Sequence, residues 1–202
     1  MLKIDFGDIT ILENSCKLSV AESHRIEMTY KAMNFCDWLI KQCIQLDYCV
    51  NHPEAIGCAD YHAYDSYLGD YAIGKHLLLQ ERKGKHHKFL VVTDSAKRVD
   101  LNILREGLSC NKLEFVGEEE MQSLINTTPG NISIFNMIYD NNREIQLVID
   151  EDLLHAQEIA FHPLYNGMSV FMKPAECFKF LSYINRDAII MPIAEKKKVL
   201  QK

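Results

Sequence analysis

The chain has 202 residues, of which 48% are hydrophobic and 25% are charged, and its formal net charge is −6. This length and composition predict one globular domain, and the acidic balance argues against nonspecific nucleic-acid binding over the whole surface. The seven cysteines include no C-x-x-C pair, which favours reduced thiols over a zinc site. The sequence shows no signal peptide and no apolar run of the ~18–20 residues that span a bilayer, so we expect a cytoplasmic protein without membrane contact.

The first half of the chain predicts one long helix and a β-hairpin. Residues 1–29 carry little pattern beyond a short strand at 9–12 and are interpreted as an N-terminal extension. Apolar residues then recur with helical spacing from 27 to 46. A strand follows at 47–55 and ends at His52-Pro53, and a short helix is predicted at 58–69. The segment KHLLLQERKGKHHKFLVVT, two apolar runs about Lys83-Gly84, predicts a hairpin.

The second half alternates short strands and helices. RVDLNILREGL predicts a helix that Asp100 caps and Gly107 closes, and PAECFKFLSYI predicts another with proline in its first turn. KLEFVGEEEMQSLI predicts a strand followed by a helix with acidic residues in its first turn. Strands are also expected in EIQLVID, MSVFM and AIIMPI, and a loop is expected in TTPGNISIF. Because parallel βαβ repeats and linkers are lacking, this pattern favours a single mixed α/β domain over residues 30–193 with a largely antiparallel sheet. Residues 194–202 are expected to form a solvated tail.

The segment AFHPLYNGMSV at 160–170 interrupts two strand-like flanks with His-Pro and Asn-Gly. Proline cannot donate to a sheet and Asn-Gly favours positive φ, so the chain is expected to turn here. The turn is expected to place His162 and Asn166 on the rim of a loop. Whether these side chains close the turn or hold a ligand stays open at this point.

Charge is distributed unevenly along the chain. Between residues 82 and 112 there are eight basic and three acidic residues, in an otherwise acidic protein. Such a stretch is either a docking surface for a polyanion or an ordinary solvated face. Lys75 follows Gly74 at the head of an apolar strand and is either a solvated lysine or a cation that holds a phosphate or a carbonyl. No G-x-S-x-G elbow, P-loop or G-x-G-x-x-G motif is present, so these residues alone name no reaction.

Five motifs, taken in order, resemble the YbaK-like, prolyl-tRNA-synthetase-associated editing domains, and within them the prolyl-tRNA deacylase branch. They are GKHLLLQERKGKHHKFLVV, AKRVDLNILREGL, LEFVGEEEMQSLINTTPGNIS, VIDEDLL and FHPLYNGMSVFM. The resemblance covers residues 30–193 and implies a curved, barrel-like mixed sheet surrounded by helices. It also implies a free-standing trans-editing deacylase without a cofactor or metal. Such enzymes hydrolyse the ester between a wrong amino acid and the 3′ end of its tRNA, and the best-known members remove alanine from proline tRNA.

The resemblance also assigns roles to individual residues. Lys75 and Gly130 are expected at the reacting ester, where Lys75 anchors the terminal adenosine or its phosphate and the amides around Gly130 polarise the carbonyl. The aminoacyl pocket is expected to comprise Ile132, Ser133, Ile134, His162 and Asn166. The tRNA acceptor stem is expected to contact Lys83, Lys85, Lys97 and Arg98.

Three positions depart from the family pattern: Gly74 stands for threonine, His76 for asparagine and Ile134 for proline. We expect these positions to border the pocket, so the departures leave open which amino acid the enzyme would remove from tRNA. The alternatives are a deacylase for tRNA mischarged with serine, cysteine or threonine, and a non-catalytic relative that binds tRNA or a nucleotide. The partners implied are tRNA and, functionally, prolyl-tRNA synthetase, with the protein a monomer or a weak dimer.

Overall fold

A computed structural model of the chain describes residues 4–5, 20–52, 54 and 71–196. The strand predicted at 9–12 and the helix predicted at 58–69 lie outside the described residues. The elements of the first half are β1 (Ile4–Asp5), α1 (Val20–Lys41), β2 (Tyr48–Asn51), β3 (Tyr71–Glu81) and β4 (Lys88–Asp94). The predicted hairpin is therefore confirmed as β3 and β4, and the strand before His52 is confirmed as β2.

The second half contains the predicted helices and strands, including both flanks of the segment at 160–170, together with two 3₁₀ helices. The elements are α2 (Leu101–Gly107), β5 (Leu113–Phe115), α3 (Glu118–Ile125), a 3₁₀ helix (Ile134–Tyr139), β6 (Ile145–Asp150), a 3₁₀ helix (Glu151–His155), β7 (Glu158–Phe161), β8 (Met168–Met172), α4 (Pro174–Tyr183) and β9 (Ala188–Met191). Asp100 caps α2 as expected, because its side chain accepts the backbone N–H groups of Asn102 and Ile103.

Helix α1 differs from its prediction at both ends. It begins at Val20, so the boundary drawn at residue 29 falls inside the helix, and it ends at Lys41. Cys43 takes a left-handed φ of 62°, and Ile44 N–H donates to Leu39 O. These contacts close the helix with a Schellman motif. Ile44 and Leu46 continue the apolar pattern because they enter the core after the helix has ended.

The strands form one mixed sheet in the order β1-β2-β8-β7-β3-β4-β6-β9, with β5 pairing with β3 outside this path. The mixed α/β fold is confirmed. Among the described strands, four pairings are parallel and four are antiparallel, so the sheet is less antiparallel than expected. In the part of the sheet that is described, β1 and β9 are the open ends of the path, and the expected barrel-like closure is not confirmed.

Alternating side chains on the central strands contribute to two apolar clusters, one on each face of the sheet. Leu78, Leu90 and Leu147 belong to the cluster that α1, α3 and α4 cover. Their chain neighbours Leu79, Val91 and Val148 point to the other face of the sheet, where Leu104 of α2 covers them. Both faces of the central strands are therefore buried, which fixes the register on which the site described below depends.

Over the described ranges, none of the helices combines the length and the apolar character that crossing a membrane requires.

Candidate functional site

One end of strands β3, β7 and β8 carries polar side chains. Ile73 of β3 pairs with Ala160 of β7, which pairs with Phe171 of β8. Lys75 and Ser169 lie two residues from Ile73 and Phe171 on the same face, because strand residues two apart point to the same side, and His162 directly follows β7. An amine, an imidazole and a hydroxyl therefore lie at the same end of these three strands.

Lys75 lies within strand β3, opposite Thr93 of β4, rather than in a loop. Its half-buried side chain bends over the turn that follows β4. There the ammonium donates a hydrogen bond to Ser95 O at 3.2 Å and another to Lys97 O. The position of this cation is thus set by backbone carbonyls of residues 95–97.

The glycine loop and the His-Pro turn, which the sequence predicted to share a site, are in direct contact. Asn166 Nδ2 donates to Gly130 O at 3.3 Å, and Asn166 N–H donates to Asn131 Oδ1 at 3.1 Å. Asn131 in turn is bonded to Thr128 through its backbone N–H and its side chain. Gly130 adopts a φ of 89°, a conformation that favours glycine.

Two backbone amides of the glycine loop have no acceptor within the described parts of the chain. They are the N–H groups of Gly130, which is exposed, and of Ile132, which is half-buried. Amides of this kind, held by a loop that is itself hydrogen-bonded, are suited to stabilise a developing negative charge on an oxygen atom.

The turn at 162–167 forms differently from the prediction. Among the described residues of this turn, neither Asn166 nor Gly167 has a positive φ; Leu164 has one, at 67°, and its N–H donates to His162 O. Gly167 is required for another reason, since a Cβ there would lie 2.5 Å from the Tyr165 ring. Asn166 is only 7% exposed and therefore lies inside the structure, rather than on a rim.

His162 is held in its neutral form by its surroundings. Burial lowers its pKa to about 4, although a hydrogen bond to the backbone of Met168 opposes the shift. Its Nδ1 lies 3.2 Å from Met168 O, so Nδ1 carries the proton and Nε2 is the acceptor nitrogen. This bond ties the imidazole to the start of β8.

Two further residues of this region were missed by the sequence analysis. His52 Nε2 lies 2.9 Å from Ser169 Oγ, and both residues are buried. The His52 ring is 6.3 Å from the His162 ring, and its backbone N–H donates to Gly167 O. Ser169 stands between apolar residues in the strand MSVFM, and a buried hydroxyl needs a partner. A serine between apolar strand residues was therefore the sequence signal that could have predicted a buried partner for Ser169.

Ser133 and Ile134, expected in the aminoacyl pocket, have their side chains in the interior. Both are 0% exposed. Ser133 Oγ accepts Phe135 N–H, and Asn136 Oδ1 accepts Ser133 N–H, so the serine caps a 3₁₀ helix. Ile134 borders an apolar cavity of about 10 Å³, which has no room for an amino-acid side chain. Of the three loop residues expected in the pocket, Ile132 alone is partly exposed.

The departures at Gly74 and His76 affect packing on the opposite face of β3 from Lys75. A Cβ at residue 74 would lie 2.3 Å from the Phe161 ring, so this ring occupies the space that a threonine would need. His76 Nε2 is buried and has no hydrogen-bond partner among the described residues, and burial lowers the His76 pKa to about 3. Because neighbouring strand residues alternate between faces, neither position lies on the face that contains Lys75.

The basic stretch divides into residues with and without internal partners. Lys97 Nζ lies 2.8 Å from Asp150 Oδ2 and 2.5 Å from Asp152 Oδ2, and its side chain is 16% exposed. Although burial opposes the shift, the hydrogen bonds to these two carboxylates raise the Lys97 pKa. Lys97 is therefore not available to a phosphate, in contrast to the exposed Arg98. Lys83 and Lys85 are exposed at the β3–β4 turn, roughly 25 Å along the strand from Lys75.

In the described part of the chain, no group of three or more histidine, cysteine, aspartate or glutamate side chains is arranged to hold a metal ion.

Comparisons with known proteins identify a family. Residues 58–180 match the model of the aminoacyl-tRNA editing domain. The prolyl-tRNA editing protein ProX of Acetoanaerobium sticklandii is 33% identical over 103 residues, which are 51% of this chain and 62% of that protein. Prolyl-tRNA synthetase associated domain-containing protein 1 of Xenopus laevis is 28% identical over 147 residues, which are 71% of this chain and 86% of that protein.

A solved structure of a candidate trans-editing enzyme for prolyl tRNA synthetase has a similar fold. It superposes with a TM-score of 0.57 at 19% identity, over 89% of this chain and 99% of the other. At this identity the similarity concerns the fold alone.

Proposed function

Because the chain belongs to the aminoacyl-tRNA editing domain family, we propose that it is a deacylase that hydrolyses the ester between a wrong amino acid and the 3′ end of its tRNA. Alanine on proline tRNA is the proposed substrate, since the names of both relatives refer to prolyl-tRNA or its synthetase. We propose on the same ground that the protein works together with prolyl-tRNA synthetase in the cytoplasm.

One observation carries the proposal: the Asn166 side chain and backbone hold the loop whose Gly130 and Ile132 amides lack an internal acceptor among the described residues. An ester carbonyl oxygen bound by these two N–H groups would gain stabilisation as negative charge develops on it. An aminoacyl ester is already activated, so a positioned water molecule suffices as nucleophile. No covalent enzyme intermediate is needed.

Lys75 supplies the cation of the proposed site. Its ammonium donates hydrogen bonds to Ser95 O and Lys97 O, which fix the position of the charge. In this position it would bind the terminal adenosine or its phosphate and hold the ester against the glycine loop. His162, kept neutral by burial, follows β7 and organises the turn that bears Asn166.

Selection among amino acids would depend on the space beside Ile132, since Ser133 and Ile134 point inward. A pocket of this kind excludes large side chains by steric clash. It separates small apolar substrates less well, because one methylene changes the transition-state free energy by only ~1–3 kcal/mol.

Docking of the tRNA is proposed to involve Lys83, Lys85 and Arg98, which are exposed. Their contacts with phosphates would make the affinity fall as the salt concentration rises. Lys97 is left out of this set because its charge is committed to Asp150 and Asp152.

A deacylation assay on a panel of mischarged tRNAs tests the proposal. The panel contains alanyl-tRNA(Pro) and tRNAs mischarged with serine, cysteine or threonine, and the rate of amino-acid release is measured for each. We expect the fastest hydrolysis with alanyl-tRNA(Pro). A preference for another member would revise the substrate. Retained tRNA binding without hydrolysis of any member would contradict the deacylase and indicate the non-catalytic alternative.

A further inference from the structure

A buried network lies beneath the turn that holds Lys75. Asp150, at the end of β6, is 0% exposed and accepts hydrogen bonds from Thr93 Oγ1 at 2.5 Å and from Ile193 N–H at 3.3 Å. Its Oδ2 is also 2.8 Å from Lys97 Nζ. Asp150 thereby connects the end of β4, the segment after β9 and the turn at residues 95–97.

Lys97 makes contacts through both its side-chain ammonium and its backbone carbonyl. Its ammonium binds Asp150 and Asp152 and also lies 3.4 Å from Ile193 O. Its backbone carbonyl accepts the Lys75 ammonium. The ion pairs of the Lys97 side chain and the carbonyl that accepts Lys75 therefore belong to the same residue.

The chemistry of the two lysines explains why such a support is useful. A lysine side chain has four rotatable bonds, and an unsupported one samples many conformations. A buried ion pair adds little net stability compared with apolar packing, but it fixes geometry where several hydrogen bonds converge on it. Here the converging bonds hold the residue whose carbonyl accepts Lys75.

We propose that Lys97 and Asp150 are positioning residues for Lys75, rather than contacts for tRNA. The Lys97–Asp150 pair holds the turn at 95–97, so that the carbonyls of this turn fix the position of the Lys75 ammonium. The kinetic consequence rests on the proposed deacylase function. The geometric consequence does not, because it concerns the mobility and accessibility of Lys75 itself.

The first experiment compares Lys97→Met with Lys41→Met, a matched loss of charge at an exposed lysine of α1 that has no ion pair among the described residues. The rate at which acetic anhydride acetylates Lys75 is measured by peptide mass spectrometry. We expect at least a threefold rise in Lys97→Met and no change in Lys41→Met. Unchanged acetylation of Lys75 in a folded Lys97→Met protein would overturn the proposal.

The second experiment measures whether Lys97 acts through Lys75 in catalysis, with alanyl-tRNA(Pro) as substrate. We expect Lys97→Met to lower kcat by tenfold or more with a smaller change in KM. In a Lys75→Ala background, the same substitution should lower kcat by less than twofold further. If the two effects multiply, Lys97 acts independently of Lys75 and the positioning role is refuted.

If Lys97→Met does not fold, a milder variant tests the positioning role of Lys97. Asp152 is 63% exposed, and its change to asparagine removes one of the two carboxylate partners of Lys97. We expect Asp152→Asn to fold, to be acetylated faster at Lys75 and to show a two- to fivefold lower kcat. Unchanged acetylation and kcat in this variant would overturn the positioning role.

The results separate this inference from the proposed function. If Lys75→Ala is inactive while Lys97→Met and Asp152→Asn behave as wild type, the positioning role fails and the deacylase stands. If no mischarged tRNA is hydrolysed, the deacylase fails, and acetylation of Lys75 still decides whether Lys97 and Asp150 position it.

Discussion

The two ends of the β3–β4 hairpin use a buried carboxylate in different ways. At the end near Lys75, Asp150 binds the Lys97 ammonium. At the turn, Glu81 is 3% exposed and accepts backbone N–H groups of His87 and Asn111. Both carboxylates order a loop, but the first neutralises a lysine and the second leaves the lysines of its loop exposed. A basic stretch in a sequence therefore does not show which of its charges a partner can reach.

Reversing the charge of Lys97 should have the largest effect on stability. Lys97→Glu would leave Asp150 buried without its cation and would add a third carboxylate beside Asp150 and Asp152. We expect the free energy of unfolding to fall by about 3–5 kcal/mol, measured by urea denaturation. Lys83→Glu is the control at the other end of the hairpin and should change it by less than about 0.5 kcal/mol. Equal effects of the two reversals would show that the ends of the hairpin do not differ.

Acid should loosen the turn of the hairpin through Glu81. Hydrogen bonds from the backbone of Asn111 and His87 lower the Glu81 pKa. Its contribution is therefore present above the pKa of an unfolded glutamate, about 4.3, and is lost as the pH falls through the lower folded value. The protection factors for hydrogen exchange at the amides of His87 and Asn111, which correct for the intrinsic pH dependence of exchange, are expected to fall over this range. In Glu81→Gln these protection factors should not depend on pH, and a pH profile like that of the wild type would contradict the role of Glu81.

Reversing the charges of the exposed lysines at the hairpin turn should weaken tRNA binding and should have the smallest effect on stability of the changes considered. For the double variant Lys83→Glu and Lys85→Glu we expect weaker tRNA binding and a reduced dependence of affinity on salt, by about one unit of slope for each phosphate that the variant no longer binds. The unfolding midpoint should stay near that of the wild type, because both side chains are exposed. Unchanged affinity and salt dependence would show that the turn is an ordinary solvated surface.

Local patterns predicted much of the fold. The hairpin, the Asp100 cap of α2 and the proline that begins α4 all depend on residues close together in the chain. The motif order also brought Gly130 and Asn166 into one predicted site, and they are hydrogen-bonded. The roles of Lys75 and the other proposed site residues stay predictions.

Contacts between distant residues account for what the sequence did not reveal. The Lys97–Asp152 pair joins residues 55 apart, and the His52–Ser169 pair joins residues 117 apart. No local pattern distinguishes a lysine that meets two carboxylates from one that meets solvent. Likewise, Asn-Gly indicated a turn correctly, but packing against Tyr165 rather than backbone conformation explains Gly167.

The most direct test of the account is the single-turnover hydrolysis of alanyl-tRNA(Pro) by the wild type and by Lys75→Ala. We expect the substitution to slow hydrolysis by ten- to a thousandfold, about 1.4–4 kcal/mol of transition-state stabilisation, without loss of folding. Lys75→Arg should restore little, because a planar guanidinium does not replace a compact ammonium held between two carbonyls. Hydrolysis by Lys75→Ala at the wild-type rate would contradict the central claim that Lys75 is the cation of the site.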